Sequence, residues 1–328
     1  MRTRITGAVF AVVVALVATA CGAKDAATHF SLPMKNSQPA GITAGPDGKL
    51  WFTQFTSGRI GTVDTTGKIQ EFPLPTDRPG PFDITTGPDG NLWFTEFSAN
   101  KIGRITPAGE ITEFPLPGSK TGPYGITSGP DGSLWFTMQK ANKIARMSPT
   151  GELKEFPIPF EGPTEPNPWG VVAGKDGNIW FTMQGSSKIG RMAPSGAITE
   201  FELADQAGPS DITVGPDGNL WFTETYAGMI GRLTTDGQLA EYPVGGKKSS
   251  PKGITTGPDG NLWFTDIGSN KIGRITTTGE IKSFAVGGGY RQLQGIVAGP
   301  DGNIWFTETH GNKVSRLKVG QVDSEAKK

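Results

Sequence analysis

The sequence predicts an all-β fold, a seven-bladed β-propeller with four antiparallel strands in each blade. A near-identical frame, G-[IV]-x-x-G-x-D-G-x-[LI]-W-F-T, recurs seven times along the 328 residues. The tryptophans of this frame are Trp51, Trp93, Trp135, Trp180, Trp221, Trp263 and Trp305. They stand about 42 residues apart, and a fixed period of this size indicates a propeller or a solenoid. We expect these tryptophans to form the cores of the blades.

Each repeat contains four short strands separated by turns rich in Gly, Pro and Asn. In the third copy the predicted strands are Ile126–Ser128, Leu134–Thr137, Ile144–Met147 and Leu153–Pro157. The segment Gly129–Gly132 joins the first two strands, and its glycines can adopt the positive φ that such a turn requires. Aromatic and β-branched residues fill the second strand and suit a pleated surface.

The two chain ends are predicted to close the ring together. The fourth-strand motif E-[FY]-x-[LIV] begins at Glu71, recurs in the next four copies and has a looser form at Ser283. The seventh repeat ends after its third strand, Lys313–Leu317, and carries no such motif. Near the N-terminus, His29–Pro33 resembles Gln70–Pro75, the fourth strand of the first copy. A strand from the N-terminus would therefore complete the last blade and remove the free edges of an open array.

The chain divides into a signal peptide at residues 1–20, a tether at 21–29, the propeller at 30–319 and a polar tail at 320–328. Arg2 and Arg4 precede an apolar run that is too short to span a bilayer, as in a secretory signal. We therefore expect the protein to be exported.

The end of the predicted signal peptide allows two alternatives. The segment Ala18-Thr19-Ala20 fits an ordinary cleavage site, which would release a secreted protein. Cys21, the only cysteine in the chain, instead fits the first residue of a mature bacterial lipoprotein. A lipid on Cys21 would hold the propeller at the outer face of the cell membrane.

The balance of charged residues in the sequence argues against nucleic acid as a partner. The chain has 31 Lys and Arg residues against 31 Asp and Glu residues, so no general attraction to nucleic acid is expected. With a single cysteine there is no intramolecular disulfide, and the stability of the domain must come from ring closure and the core. We expect a monomer.

Two sets of variable positions are predicted to line one face of the disc. The residues just before the inner strands are Ala40, Phe82, Tyr124, Trp169, Ser210, Lys252 and Gln294. The residues directly after W-F-T are Gln54, Glu96, Met138, Met183, Glu224, Asp266 and Glu308. Because the rest of the frame hardly varies, this variation indicates a binding face.

The chemistry of these positions predicts an amphipathic ligand. One arc is apolar and comprises Phe82, Tyr124, Trp169, Met138 and Met183. The other arc is polar and comprises Ser210, Asp211, Glu224, Lys252, Asp266, Arg291, Gln292, Gln294, Glu308 and His310. A face that combines these two arcs suits a small amphipathic molecule or an envelope component. The simpler alternative is a face that varies without binding any ligand.

Two pairs of acids offer a metal site. Asp83 and Asp211 replace the glycine that opens the inner strand, and their blades also carry Glu96 and Glu224 after W-F-T. Paired carboxylates can bind Mg²⁺ or Ca²⁺ or share a proton. They can equally cap neighbouring backbone amides. Nucleophilic catalysis finds no support, because no Ser–His–Asp or Cys–His set is recognisable.

The frames at Gly87–Glu96 and Asn100–Thr106 resemble those of the streptogramin B lyase (virginiamycin B lyase) family of seven-bladed propellers. The resemblance covers essentially the whole mature chain. It implies an enzyme that opens a cyclic depsipeptide by elimination at its ester, without hydrolysis, using Mg²⁺ and histidines. It also implies histidines just before the inner strands of the last two blades, with an acid two residues before the second.

Other residues occupy those positions here. Lys252 and Gln294 stand at the two histidine positions, and Gln292 stands at the position of the acid. Glutamine takes no proton at neutral pH, so it cannot be a general base. Glu308 is the counterpart of a metal-binding acid. If the chain is an enzyme, the catalytic candidates are Lys252, Glu308 and His310, with Lys252 as a base once it is desolvated.

Three functions therefore remain open from the sequence. The first is an exported, membrane-tethered propeller that binds a ligand and has lost the lyase reaction. The second is a metal-dependent carbon–oxygen lyase with relocated residues, with Glu308, Asp211 and Glu224 as the candidate metal ligands. The third is a protein-interaction platform of the cell envelope that takes no small ligand.

Overall fold

The computed structural model describes residues 26–161, 163–246 and 248–320. The predicted signal peptide, Cys21 and the tail beyond residue 320 lie outside the described residues. Within these ranges no helix has the length and apolarity needed to cross a bilayer. A single-turn 3₁₀ helix occupies Gln139–Ala141. The other elements described below are strands.

The first strand and the first three blades account for β1 to β13. The N-terminal strand is β1 (Ala27–Ser31). Blade one contains β2 (Pro39–Ala44), β3 (Leu50–Gln54), β4 (Arg59–Val63) and β5 (Ile69–Pro73). Blade two contains β6 (Pro81–Thr86), β7 (Leu92–Glu96), β8 (Lys101–Ile105) and β9 (Ile111–Pro115). Blade three contains β10 (Pro123–Ser128), β11 (Leu134–Met138), β12 (Lys143–Met147) and β13 (Leu153–Pro157).

The remaining strands, β14 to β28, build blades four to seven. Blade four contains β14 (Pro168–Ala173), β15 (Ile179–Met183), β16 (Lys188–Met192) and β17 (Ile198–Glu202). Blade five contains β18 (Pro209–Val214), β19 (Leu220–Glu224), β20 (Met229–Leu233) and β21 (Leu239–Pro243). Blade six contains β22 (Pro251–Thr256), β23 (Leu262–Asp266), β24 (Lys271–Ile275) and β25 (Ile281–Ala285). Blade seven begins with β26 (Leu293–Ala298), β27 (Ile304–Glu308) and β28 (Lys313–Leu317).

The predicted ring closure is confirmed. Six sheets each contain four consecutive strands, and the seventh has the order β1-β28-β27-β26. In this last blade β1 pairs antiparallel with β28, with Phe30 opposite Val314. Because β1 begins at Ala27, the closing strand starts earlier than the predicted domain boundary at residue 30. The fold is thus a seven-bladed, all-β propeller.

Each blade is built around its repeat tryptophan. The indole N–H donates to the aspartate of the G-x-D-G turn at 2.9 to 3.2 Å in every blade. The ring stacks at 5.3 to 5.7 Å on the aromatic residue of the outer strand. The tryptophans themselves are buried. They are therefore core residues, as the sequence predicts.

The third strand carries a small residue opposite the phenylalanine of the second strand, which leaves room for the aromatic ring. In blade two, a Cβ added to Gly103 would lie 2.0 Å from the ring of Phe94. Phe94 is fully buried, so its ring has no room to move away. The glycine at position 103 is therefore a packing requirement of blade two, whereas blades three and seven accommodate Ala145 and Ser315 at the corresponding position.

The threonine of W-F-T links each blade to the next. Its hydroxyl accepts a backbone N–H of the inner strand of its own blade at 2.9 to 3.1 Å. The same hydroxyl donates to the carbonyl at the start of the next inner strand at 2.6 to 3.0 Å. The seventh of these bonds, from Thr307 to the Ala40 carbonyl, closes the ring. All seven threonines are buried.

Replacing Thr307 with valine should destabilise the propeller by about 1–3 kcal/mol, because the Ala40 carbonyl and the Gly295 N–H would lose a buried partner. Valine keeps the shape and the β-branching, so strand propensity is unchanged. The measurement is urea unfolding of the two proteins. Thr199→Val, on the exposed side of β17, is the control and should change stability by less than about 0.5 kcal/mol. Equal losses of stability in both variants would contradict the role of the W-F-T threonines in joining the blades.

Candidate functional site

Both predicted loop sets lie on one face of the disc. The loop after W-F-T bonds to the preceding inter-blade loop, as from the Thr309 N–H to the Gln292 carbonyl. Together the loops surround a bowl of about 460 Å³ over the central channel. Its lining includes Gln38, Ala40, Phe55, Phe82, Tyr124, Trp169, Lys252, Ile267, Gln292, Gln294, Thr309 and His310. A volume of this size suits a small-molecule site.

Three aromatic side chains form a continuous wall of the bowl. The rings of Phe82 and Tyr124 lie 4.0 Å apart between centroids, and those of Tyr124 and Trp169 lie 4.5 Å apart. Phe55 and Phe97, which the sequence reasoning missed, support the wall edge-on from the loops after W-F-T. Both directly follow the variable position of the frame, and their aromatic character was the available signal. The predicted aromatic arc thus exists, although its methionines do not belong to it.

Lys252 lies at the end of this wall. Its Nζ stands 3.6 Å from the centroid of the Trp169 ring and 3.5 Å from Ser210 Oγ. Burial in the channel lowers the pKa of Lys252 to about 7, and the nearby Asp211 carboxylate only partly offsets this effect. The side chain of Lys252 is half-buried, and its amine lies over the face of the Trp169 ring in a cation–π contact.

Asp83 and Asp211 bridge neighbouring inner strands. The Asp83 carboxylate accepts the N–H groups of Ile84 and of Ile126 in the next blade. Asp211 repeats this arrangement with Ile212 and Ile254. Of the alternatives for these acids, the structure has the amide caps.

The carboxyls of these two aspartates line the channel together with Lys252. Burial raises the pKa of Asp83 to about 7, and the Asp211 charge adds to the rise. Burial raises the pKa of Asp211 to about 6, although its backbone hydrogen bonds and Lys252 oppose the rise. The channel cavity has a volume of about 80 Å³, so these groups meet little water. All three groups are therefore shifted toward their uncharged forms.

The residues after W-F-T do not line the bowl, which corrects the sequence-based expectation. Met138, Met183, Glu224 and Glu308 are fully buried inside their blades. Asp266 is 2% exposed, and it caps backbone N–H groups including those of Ser250 and Gly268. The physical reason is that both faces of each sheet are covered by neighbouring blades. These side chains therefore pack in the core and do not contact a ligand in the bowl.

Glu96 and Glu224 are buried; Glu96 has no hydrogen-bond partner on either carboxylate oxygen, and Glu224 lies beside the carboxyl group of Glu241. Burial raises the pKa of each to about 8, with a further rise from Glu113 or Glu241 in the outer strand of the same blade. In blade two Lys101 stands beside Glu113 at 2.6 Å. These carboxyls therefore tend to hold a proton at neutral pH.

Glu308 occupies the same position in blade seven but is fully paired. Its oxygens accept from His29 Nδ1 at 2.5 Å, Ser315 Oγ at 2.5 Å and Arg291 Nη1 at 2.6 Å. Burial alone would raise its pKa, but these hydrogen bonds outweigh burial and hold the pKa below its usual range. Since His29 comes from the closing strand, this cluster ties the two chain ends together. Sequence reasoning missed it, because His29 lies 279 residues before Glu308 in the sequence.

The described residues do not fit the predicted metal site. Glu308 is saturated by two basic side chains and a hydroxyl, and Asp211 by two amides. Glu224 is fully buried inside its own blade. In the part of the chain that the structure describes, no group of three His, Cys, Asp or Glu residues could hold a metal ion. The predicted ligand set of Glu308, Asp211 and Glu224 is therefore wrong as a single site.

His310 lies on the exposed rim of the bowl. Its ring meets Tyr290 edge to face at 5.4 Å, and its backbone N–H donates to the Arg291 carbonyl. Gln292 and Gln294 line the bowl from the same blade. Polar groups therefore face the aromatic wall across the bowl.

Comparison with known proteins places this geometry in a family. The sequence pattern of the virginiamycin B lyase family matches residues 18–166 and 159–326. The virginiamycin B lyase of Staphylococcus aureus is 39% identical, over 89% of this chain and 99% of that chain, with a TM-score of 0.84. A catalytically inactive histidine-to-alanine variant of that enzyme, solved with quinupristin, is 38% identical over the same shares with the same TM-score. A streptogramin B lyase structure is 37% identical over 88% of this chain and 96% of that chain, also with a TM-score of 0.84. No curated protein matches this chain.

Glu224→Gln should raise the stability of the folded protein, whereas Glu308→Gln should lower it. The folded pKa of Glu224 lies above the unfolded value, so Glu224 costs stability as pH rises from about 4.3 toward 8. Glu224→Gln should therefore raise stability at pH 9 by about 1–3 kcal/mol and change it little at pH 4. Glu308→Gln removes a buried charge from two basic partners and should cost about 3 kcal/mol or more at pH 7.

The measurement is thermal melting of both variants and the unsubstituted protein across pH. The folded pKa of Glu308 is depressed, so its stabilisation is present above the unfolded value and lost as pH falls through the folded one. The deficit of Glu308→Gln should therefore shrink in acid. The two positions control for each other, because each follows W-F-T. A loss of stability in both variants at pH 9 would show that Glu224 is paired.

Proposed function

The chain belongs to the virginiamycin B lyase family, and from that premise we propose that it binds an amphipathic small molecule in the bowl without opening streptogramins. The observation that carries this proposal is the pairing of Glu308 with His29, Ser315 and Arg291. Glu308 is the one acid that matches a metal ligand of the family, and in this pairing it does not contact a ligand in the bowl.

The bowl itself supports binding. Phe82, Tyr124 and Trp169 offer stacked rings to the apolar side of a ligand. Gln292 and Gln294 offer amide groups, which both donate and accept hydrogen bonds, to its polar side. Few convergent polar groups in a mainly apolar concavity are what small-molecule sites use for orientation and specificity.

The absence of a base at Gln294 and of an acid at Gln292 supports the loss of the lyase reaction. Gln294 holds no ionisable group and cannot remove the proton that an elimination must lose, and Gln292 carries no charge for a metal ion. Mg²⁺ binding by Glu308 would first require its separation from Arg291 and His29, whose basic side chains repel a cation. The residues present therefore do not fit the metal that the family resemblance implies.

A second candidate function is a metal-independent elimination with Lys252 as the general base. One observation favours it, the burial that lowers the pKa of Lys252 to about 7. A neutral amine with this pKa removes a proton from a carbon acid at physiological pH more readily than an ordinary lysine. The aromatic wall would hold the substrate beside Nζ, 3.6 Å from Trp169.

The location proposed for this function is the outer face of the cell membrane, with a secreted protein as the alternative. Cys21 lies outside the described residues, and its context in the sequence carries the proposal. In cells expressing the full chain, Cys21→Ser should move the protein from the membrane fraction to the soluble fraction, because no acyl chain would anchor it. Unchanged fractionation would favour plain secretion.

Quinupristin is the probe for the ligand proposal, because a relative in the family is known with it bound. The purified protein should bind it without converting it, and Trp169→Ala should weaken binding about tenfold by removing part of the aromatic wall. Calorimetry measures the affinity. Chromatography detects ring opening, since elimination within a ring yields an isomer of unchanged mass. Leu239→Ala, on the exposed outer strand β21, is the control variant.

Three outcomes separate the candidate functions. Binding without conversion supports a ligand-binding propeller. Conversion that persists in a chelator and disappears in Lys252→Arg supports the elimination with Lys252 as base. Absence of binding contradicts both for this class of ligand and favours a protein-interaction platform.

A further inference from the structure

Two adjoining cavities lie between blade four and the loops that flank it. The first has a volume of about 320 Å³ and is lined by Asn167, Gln184, Gly185, Ser187, Gln206 and Tyr226. The second has a volume of about 690 Å³ and shares Gly185, Ser187 and Gln206 with the first. Neither shares a lining residue with the bowl. We call the two cavities together the blade-four groove.

The groove opens where the repeat lacks an asparagine. In blades two, three, six and seven, the Asn before the third strand accepts a backbone N–H of the following inter-blade loop at 2.7 to 3.3 Å. Blade four carries Ser187 at this position, and the Ala207 N–H of the following loop bonds instead to the Ala204 carbonyl. The shorter serine side chain therefore leaves space between the blade and this loop.

Blades one and five also lack the asparagine, but there the following loop fills the space. A Cβ added to Gly58 would lie 2.9 Å from Pro79, and one added to Gly228 would lie 2.9 Å from the Ser249 carbonyl oxygen. Ser187 differs from these glycines because it holds a positive φ of 53°, which serine adopts less readily than glycine or asparagine. Blade four thus keeps a hydroxyl in the groove at a conformational cost.

Tyr226 presents a fixed aromatic surface to the groove. The residue is 66% exposed, yet its side chain is held at two points. Its hydroxyl donates to Gln184 Oε1 at 3.2 Å, and its ring lies so close to Gly208 that a Cβ there would come within 2.3 Å of it. An aromatic ring that is already held in one orientation loses little conformational entropy when a ligand stacks on it. The ring is therefore preorganised for contact with a ligand.

Hydrogen-bonding groups of both kinds lie beside this ring. The side-chain amides of Asn167, Gln184 and Gln206 both donate and accept hydrogen bonds. The Ser186 hydroxyl, in the larger cavity, is buried and has no hydrogen-bond partner among the described residues. Such a hydroxyl gains from a ligand that supplies its partner.

The charges of the groove disfavour anions. Among the residues that line it, Lys188 is the one cation, and its Nζ is bound by Glu200 at 2.7 Å and by Glu202 at 2.9 Å. Glu161 and Asp205 add carboxylates to the same lining. A phosphate or carboxylate ligand would therefore be repelled. Because most of the lining is polar, an acyl chain would gain little from burial there.

We propose that the blade-four groove binds a neutral saccharide, with a pyranose ring stacked on Tyr226. One face of such a ring carries C–H groups, which the negative face of an aromatic ring attracts. Its edge carries hydroxyl groups, which donate to and accept from the amides and serines of the groove. Phe160, 47% exposed in the larger cavity, offers a second apolar surface to a longer chain of sugars. This second site goes beyond the function proposed for the bowl.

Titration calorimetry with three neutral hexasaccharides tests the proposal. At least one of maltohexaose, cellohexaose and chitohexaose should bind the purified protein with millimolar or tighter affinity. Tyr226→Ala should weaken that binding about tenfold by removing the stacking surface, whereas Tyr226→Phe keeps the ring and should weaken it less. Tyr290→Ala is the matched control, because Tyr290 is similarly exposed, at 63%, but lines neither cavity.

Ser187→Asn separates ligand binding from fold stability. Asparagine is the residue of four other blades, so its side chain should bond to the following loop and fill part of the groove. Saccharide binding should fall at least about tenfold, while the melting temperature stays equal or rises, since asparagine tolerates the positive φ.

The proposal is overturned if none of the three hexasaccharides binds, or if Tyr290→Ala weakens binding as much as Tyr226→Ala. It is also overturned if Ser187→Asn keeps full affinity. Trp169→Ala should leave saccharide binding unchanged, and Ser187→Asn should leave quinupristin binding unchanged, because the groove and the bowl share no lining residue. The proposals for the two sites can therefore fail separately.

Discussion

The bond from each W-F-T threonine to the next inner strand is the constraint on which the site depends. Thr223, for example, donates to the carbonyl of Lys252, so this bond fixes the backbone there whatever the side chain is. The same holds for Trp169, whose carbonyl accepts from Thr137. The ring is therefore held together by main-chain carbonyls at the positions whose side chains line the channel. The side chains at these positions can vary without loss of the hydrogen bonds that join the blades. This explains why sequence variation concentrates around the opening of the channel.

Two buried acids at the same position of the repeat differ in their protonation state. Glu224 and Glu308 follow the same W-F-T frame and are both fully buried. Burial raises the pKa of Glu224, whereas Glu308 meets His29 and Arg291 and stays ionised. The difference comes from the closing strand, which places His29 where other blades carry a glutamate such as Glu241. Ring closure thus turns a costly buried carboxyl into a link between the chain ends.

The sequence predicted the blade count, the closure and the aromatic wall, because each is written in a local pattern or a period. Its error at Met138 and Met183 has a physical cause. Alternation along a strand separates two faces, but in a propeller both faces of each blade sheet are packed, so alternation does not identify the channel side. The Glu308 cluster and the desolvation of Lys252 escaped prediction for another reason. Both arise from residues that only the closed ring brings together.

The channel selects for weakly charged ligands. Asp83, Asp211 and Lys252 share a narrow space, and burial raises the pKa of both acids while it lowers that of the amine. All three shifts lie toward the neutral form, so the mouth presents less charge near pH 7 than three solvent-exposed groups would. A strongly ionic ligand would gain little Coulomb energy there and would lose its own hydration. Contact with the aromatic wall of Phe82, Tyr124 and Trp169 costs no such desolvation, so an uncharged, aromatic molecule that carries a polar group is the ligand this face fits best.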